Sequence, residues 1–351
     1  MNYAVVGAFF GDEGKGQTVH NLCKEIDAKL VVRFCGGHQV GHTVRMKQDV
    51  GYIEHIFSNF GSGTLLGIPT FWSKFCTVDP TAAKLEYDEL KKLGVTPVVY
   101  YSPECEVVLP HDRVVQITDK VNLMHGTVGT GFKKCLDRAK AGFHLTVMDC
   151  LNLNVLRCKV MAILLNYYGS LEGNGLSVNI DQWCIDTYDY FQSMNIADAF
   201  DALYWAKDIV FEGSQGILLD QTYGIMPYCT PSNTTCRNIR ELYTGNLSQR
   251  QVIPVLVTRP YITRHGAGPI PSSMEVIDVD DPNNQYNDFQ KTMRAIKFDQ
   301  KLLEHSMLIN SLSYPSLGPT QVAVTHIDEY PEFRLNLDFT RYFNYETEET
   351  D

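Results

Sequence analysis

Three glycines, a lysine and two carboxylates fall within six residues at Gly11-Asp12-Glu13-Gly14-Lys15-Gly16. Glycine lets a backbone come close to a ligand and turn its N–H groups inward. The cluster follows the apolar run Tyr3-Ala4-Val5-Val6-Gly7-Ala8, which reads as a strand, and precedes a helix expected to begin near Gly16. The positive end of that helix points at the same spot, so the loop suits an anion such as phosphate. Lys15 adds a point charge. Asp12 and Glu13 do not suit a pure phosphate cradle, because they repel the ligand. They make sense if a divalent cation sits there, or if the loop takes a proton from a substrate. The four-residue spacer and Lys-Ser/Thr ending of the common nucleotide loop are absent. An ordinary glycine-rich strand-to-helix turn is the plainer alternative.

A second close-approach loop follows the strand-like run Ala28-Lys29-Leu30-Val31-Val32-Arg33-Phe34. It reads Cys35-Gly36-Gly37-His38-Gln39-Val40-Gly41-His42-Thr43. Loops at the carboxyl ends of strands gather ligands in open α/β sheets. The flanking glycines and Thr43 make His42 a candidate acid or electrophile beside a phosphate, although a lone histidine is more often structural. A third cluster, Phe211-Glu212-Gly213-Ser214-Gln215-Gly216, sets Gln215 between glycines, which favours a ligand contact over a glutamine bonding its own loop.

These loops need a scaffold of strands alternating with helices. Helical patterns appear around Pro80–Leu93 and Val155–Tyr168. Short apolar runs appear at Thr96–Tyr101, Asp208–Phe211 and Gln251–Val257, and Val322–Asp328 reads as a buried strand ending in a carboxylate. The alternation implies an α/β fold with a mostly parallel sheet flanked by helices and loops on its C-terminal edge. With 351 residues, 44% of them hydrophobic, one large domain over residues 1–345 is expected, followed by an acidic tail at 346–351. A net charge of -11 argues against nucleic-acid or membrane-surface partners. No apolar stretch approaches the ~18 residues of a membrane helix, and no signal peptide is apparent. Ten scattered cysteines without CxxC pairs suggest a reduced, cytoplasmic chain.

The first two loops, in this order, resemble the signature of adenylosuccinate synthetases, which join aspartate to C6 of a purine nucleotide. Two further stretches strengthen the likeness. One runs from Phe211 through Asp220 to Gly224, Pro227-Tyr228-Cys229-Thr230 and Ser232-Asn233-Thr234-Thr235; the other is Thr263-Arg264-His265-Gly266-Ala267-Gly268-Pro269. The resemblance implies a P-loop-like sheet, a homodimer, magnesium (Mg2+), and three substrates: a purine nucleoside monophosphate, L-aspartate, and GTP or ATP. It makes Asp12 the base that removes the purine N1 proton and His42 the stabiliser of the phosphoryl group moving to O6, with Gln215 on the purine. It assigns the donor's phosphates to Gly11, Glu13, Gly14, Lys15, Gly16, Gln17, Gly41 and Thr43, and the donor's base to Thr325 and Asp328. The monophosphate falls to Asp12, Lys15, Gln39, Val40, His42, Thr127, Val128, Gln215, Thr230 and His265. Magnesium falls to Asp12 and Gly41, and the aspartate substrate to Lys291 and Arg294. Arg264 is either a ribose contact or a structural ion pair.

Departures from the family pattern accompany these matches. Gln39-Val40 stand where the family usually has Asn-Ala, and Val128 replaces a threonine. The arginine that the family contributes from a partner subunit has no clean equivalent, with Arg138 and Lys140 as candidates. The aspartate loop is reduced to Lys291-Thr292-Met293-Arg294-Ala295-Ile296-Lys297, which also reads as a solvated helix face. Thr325-His326-Ile327-Asp328 has histidine in the usual lysine position, and the stretch that closes the guanine pocket is missing. This erosion resembles the bacteriophage 2-aminoadenylosuccinate synthetases, which use GMP or dGMP. Retention of Asp12 instead resembles enzymes that use IMP. A catalytically silent nucleotide-binding regulator is the reading from another class.

Overall fold

The computed structural model describes residues 1–119, 129–169, 178–270, 274–279, 292–337 and 339–343. Nine strands form its main sheet, and every pairing between neighbours is parallel. Across the sheet they run Asn195–Ile196, Val99–Tyr101, Thr70–Trp72, Leu30–Arg33, Ile209–Gly216, Asn2–Gly7, Ile253–Thr258, Gln321–Val324 and Thr340–Tyr342. The central strands are near-continuous apolar runs because both faces of a parallel sheet are covered. Alternate residues feed opposite cores. Ala4, Val6, Val32, Phe211 and Leu256 pack on one side with Ile239 and Leu303 from the helices Arg237–Leu242 and Gln300–Ser313. Val5, Val31, Val210 and Val257 pack on the other with Val19 and Leu22 from the helix Lys15–Glu25. A third core lies at one end of the sheet, where Trp72 and Tyr101 meet helices Pro80–Lys92, Leu153–Asn166 and Ile180–Gln192.

Three smaller sheets decorate this frame. His42–Lys47 pairs with Tyr52–Phe57 as an antiparallel hairpin, and Gly36–Gly37, Cys76–Val78 and Glu106–Val107 form a short parallel set. Tyr261–Arg264, Arg294–Lys297 and Val276–Ile277 are antiparallel.

The expected elements appear with shifted ends. The first helix starts at Lys15, and the helices near residues 80 and 155 span Pro80–Lys92 and Leu153–Asn166. Two expectations need correction. The last apolar run stops being a strand at Val324, so Asp328 does not end it; His326 takes a left-handed turn, φ 58°, in between. The Arg294–Lys297 stretch is neither a free loop nor a helix face but a strand. All ten cysteines are free thiols. Among the described residues no helix is long and apolar enough to cross a membrane. The tail at 346–351 lies outside the described residues.

Candidate active site

The loops after five neighbouring central strands converge on one cavity of about 420 Å³ at the C-terminal edge of the sheet, where ligands bind in open α/β folds. Its floor is the glycine loop. Glu13 is 2% exposed and turned beneath that loop, where its carboxylate accepts from the N–H groups of Phe9 at 3.1 Å and Gly11 at 2.8 Å. The Lys15 ammonium donates to it at 2.8 Å. Glu13 thus shapes the turn and orients Lys15, and its side chain does not line the cavity. The conflict between its charge and a bound phosphate is moderated by that burial and pairing.

Asp12 does line the cavity. Its backbone is left-handed, φ 63°, and is held there by Arg259 Nε, which donates to the Asp12 carbonyl at 2.7 Å. Its Oδ2 lies 3.8 Å from His265 Nε2. Gly16, in the first turn of the helix, lies against the second loop so closely that a Cβ there would stand 2.9 Å from the His42 carbonyl carbon and the Thr43 oxygen. Thr325 Oγ1 donates to the Glu13 carbonyl at 2.7 Å.

His42 is buried and its Nδ1 lies 2.5 Å from Glu212 Oε1. Ser62 donates to the same carboxylate, through its N–H at 3.0 Å and its hydroxyl at 2.5 Å. Burial pushes the Glu212 carboxyl up, but His42, Arg33 and the Ser62 hydroxyl outweigh it and hold it down at about 2. Burial holds the His42 imidazole below its usual value, against the pull of Glu212. Glu212 is therefore a carboxylate, and His42 donates its Nδ1–H to it. That leaves Nε2 for a ligand. Glu212 was missing from the sequence-derived assignments; its signal is a lone carboxylate inside the buried strand Ile209–Gly216.

Of the residues expected at the monophosphate, Gln39, Val40, Gln215, Thr230 and His265 also line the cavity. Gln215 has a left-handed backbone, φ 64°, and both polar atoms of the Gln39 amide are buried without a hydrogen-bond partner among the described residues. Among the donor-phosphate candidates, Gly11, Gly14, Lys15, Gly16, Gln17, Gly41 and Thr43 line it. Thr325 and Asp328 do not; Thr325 is buried under the glycine loop and Asp328 is exposed. Arg294 also stays outside, with Nη2 donating to the carbonyls of Gly266 at 2.5 Å and Gly268 at 2.7 Å. Thr127, Val128 and Lys291 lie outside the described residues. Arg138 is fully buried and paired with Asp112 of its own chain, at 3.2 Å from both Nε and Nη2, so it is not free to reach a partner subunit. Lys140 is exposed.

Among the described residues no three His, Cys, Asp or Glu side chains group to hold a metal. Magnesium does not need such a cage, since it usually takes one or two protein oxygens and fills its shell with water and substrate phosphates. The partly exposed Asp12 carboxylate beside the phosphate loop fits that mode.

Phosphoryl transfer asks a protein mainly for positioning and charge neutralisation. An edge of this construction belongs to the nucleotide-using α/β enzymes. The family model for adenylosuccinate synthetase matches residues 4–334, and the chain belongs to that family of C–N bond-forming ligases. It is 28% identical over 368 residues to the adenylosuccinate synthetase of Nitratidesulfovibrio vulgaris, with 93% of this chain and 78% of the relative covered. Its fold matches the fully ligated adenylosuccinate synthetase of Plasmodium falciparum with a TM-score of 0.75 at 20% identity, covering 93% of this chain and 77% of that one. It also matches the cyanophage S-2L succinoaminodeoxyadenylate synthetase bound to dGMP and dATP as an energy donor. There the TM-score is 0.64 at 16% identity, over 93% of this chain and 84% of the other.

Proposed function

We propose that this cavity joins L-aspartate to C6 of a 6-oxopurine nucleoside 5'-monophosphate, with (d)GMP the leading substrate and GTP the donor. Asp12 takes the N1 proton as the γ-phosphoryl group passes to O6. The amino group of aspartate then attacks C6, inorganic phosphate leaves, and the N6-succinyl nucleotide remains. His42, once protonated, donates from Nε2 to the phosphoryl oxygens, while Lys15 and the loop N–H groups neutralise charge. Magnesium at Asp12 and Gly41 would supply further neutralisation of the phosphates. The observation that carries this reading is the convergence of Asp12, Gln215 and a carboxylate-aligned His42 on one cavity. A mere nucleotide binder needs neither a base nor an O6 contact.

Gln39 and Val40, which line the cavity where the family usually has Asn-Ala, support (d)GMP, because this erosion of the loop resembles the bacteriophage branch. IMP is the second reading, favoured by Asp12. A carboxylate near the purine leaves less room, and less reason, for a neighbouring 2-amino group. The experiment incubates the enzyme, aspartate, magnesium and GTP with IMP, GMP and dGMP in turn, following phosphate release. Release that requires all three substrates and is fastest with GMP or dGMP supports the proposal. Fastest turnover of IMP selects the second reading. Slow release indifferent to aspartate indicates a regulator instead.

A further inference from the structure

Among the described residues, four cationic lysine and arginine side chains line the cavity: Lys15, Lys133, Arg259 and Arg264. Three already have protein partners. Lys15 pairs with Glu13, Lys133 with Asp137 at 2.9 Å, and Arg259 donates to the Asp12 carbonyl and to the Tyr261 hydroxyl at 3.0 Å. Arg264 differs. It is 1% exposed, and among the described residues its Nε and Nη1 have no hydrogen-bond partner. Its guanidinium lies 4.0 Å from the centre of the Phe10 ring. Its charged neighbour among the described residues is another cation, Arg294, directly opposite it in the paired strands. Burial, and then Arg294, bring its pKa down to about 10.

A buried cation without an anion costs stability, and such arrangements persist where a ligand supplies the missing charge. The surroundings are built for the guanidinium. Phe10 covers one face, and Gly268 yields space, since a Cβ there would come within 1.8 Å of Nη2. The next residue, His265, faces Asp12, so the site borders the loop that handles the purine.

We propose that Arg264 binds a carboxylate of the amino-acid substrate, with Arg294 acting behind it as the prop of the Gly266–Gly268 turn. This rests on the ligase reading above. Phosphates already have the glycine loop and Lys15. A dicarboxylate needs a planar donor group whose N–H groups are not spoken for, and arginine provides that geometry.

The test compares wild type with Arg264→Met and Arg264→Lys, measuring KM for aspartate, KM for the monophosphate, kcat and the melting temperature. Arg264→Met should raise the KM for aspartate about 30-fold or more and change that for the nucleotide less than threefold. Its melting temperature should hold or rise, because an uncompensated buried charge has gone. Arg264→Lys should recover part of the aspartate affinity. An unchanged KM for aspartate with a lowered melting temperature would show a structural arginine and overturn the proposal. A rise confined to the nucleotide KM would also overturn it, in favour of a phosphate or ribose contact. If Arg264→Met does not fold, Gly268→Ala serves, since its methyl group displaces Nη2 and should raise the same KM. Wild type that makes no aspartate-dependent product at all defeats the ligase reading instead; calorimetric titration of L-aspartate into wild type and Arg264→Met then still tests the carboxylate site.

Discussion

Asp12 holds a left-handed backbone that costs a side-chain-bearing residue about 1–3 kcal/mol. Arg259 on the Asp12 carbonyl and Thr263 Oγ1 on the Gly11 carbonyl, at 2.7 and 2.8 Å, hold the turn in place. Asparagine tolerates the same conformation. Asp12→Asn should therefore fold normally yet lose about a thousandfold or more in turnover, because the base is gone. Steady-state phosphate release checks this, and activity within tenfold of wild type would assign the N1 proton to another group. His42 depends on its neighbour in a different way. To donate from Nε2 it must carry both protons, and Glu212 favours that charged form. Activity should then fall as pH rises through the His42 pKa. Glu212→Gln removes the anion, lowers that pKa and should shift the falling limb to lower pH, with kcat down about 100-fold at neutral pH. A pH–rate profile of unchanged shape would reduce Glu212 to a structural role.

At the scale of elements, the sequence revealed what is local. Glycine spacing after an apolar run located the turn before Lys15–Glu25, and apolar periodicity located the central strands, because both signals are contained within a dozen residues. Partnerships across the chain were not visible. Glu212 meets His42 and Ser62 over separations of 170 and 150 residues, and Arg138 meets Asp112 over 26. The strand ending at Val324 was read too long because Thr325-His326-Ile327 continues in buried residues after the ladder stops. The close contact between the first helix and the second loop has its own consequence. In Gly16→Ala the methyl group meets His42 and Thr43 backbone atoms at 2.9 Å. Neither is the far end of a flexible side chain, so the two loops must separate. The expected cost is about 1–3 kcal/mol of stability, with turnover falling at least about 100-fold because His42 moves off the phosphate loop. Calorimetry and kinetics on the same preparation check both. Wild-type kinetics in the alanine variant would show that the loops separate without moving the histidine.

At the scale of the molecule, a chain with net charge -11 that binds polyanions must concentrate its cations where the ligand goes. Lys15, Arg259 and Arg264 at the sheet edge do this. Under the proposed reading, choice of donor falls to the periphery of the same edge. Thr325 is tied to the glycine loop, His326 lines the cavity, and Asp328 lies beyond them in exposed chain. A carboxylate accepts two hydrogen bonds from guanine, through N1–H and the 2-amino group, whereas adenine offers no such donor pair. A buried carboxylate left unsatisfied by the wrong base would reject it strongly. An exposed one stays hydrated whichever base binds, so the discrimination has to be small. We expect GTP to be preferred over ATP by about tenfold in kcat/KM rather than by several orders of magnitude. Asp328→Ala should raise the KM for GTP to the level of ATP, leave that for ATP nearly unchanged, and spare kcat, because the base lies away from the reacting phosphoryl group. Steady-state kinetics with each donor decides it. Wild type that prefers ATP, with an alanine variant indifferent to the base, would show that Asp328 does not read guanine and that donor choice is made elsewhere on this edge.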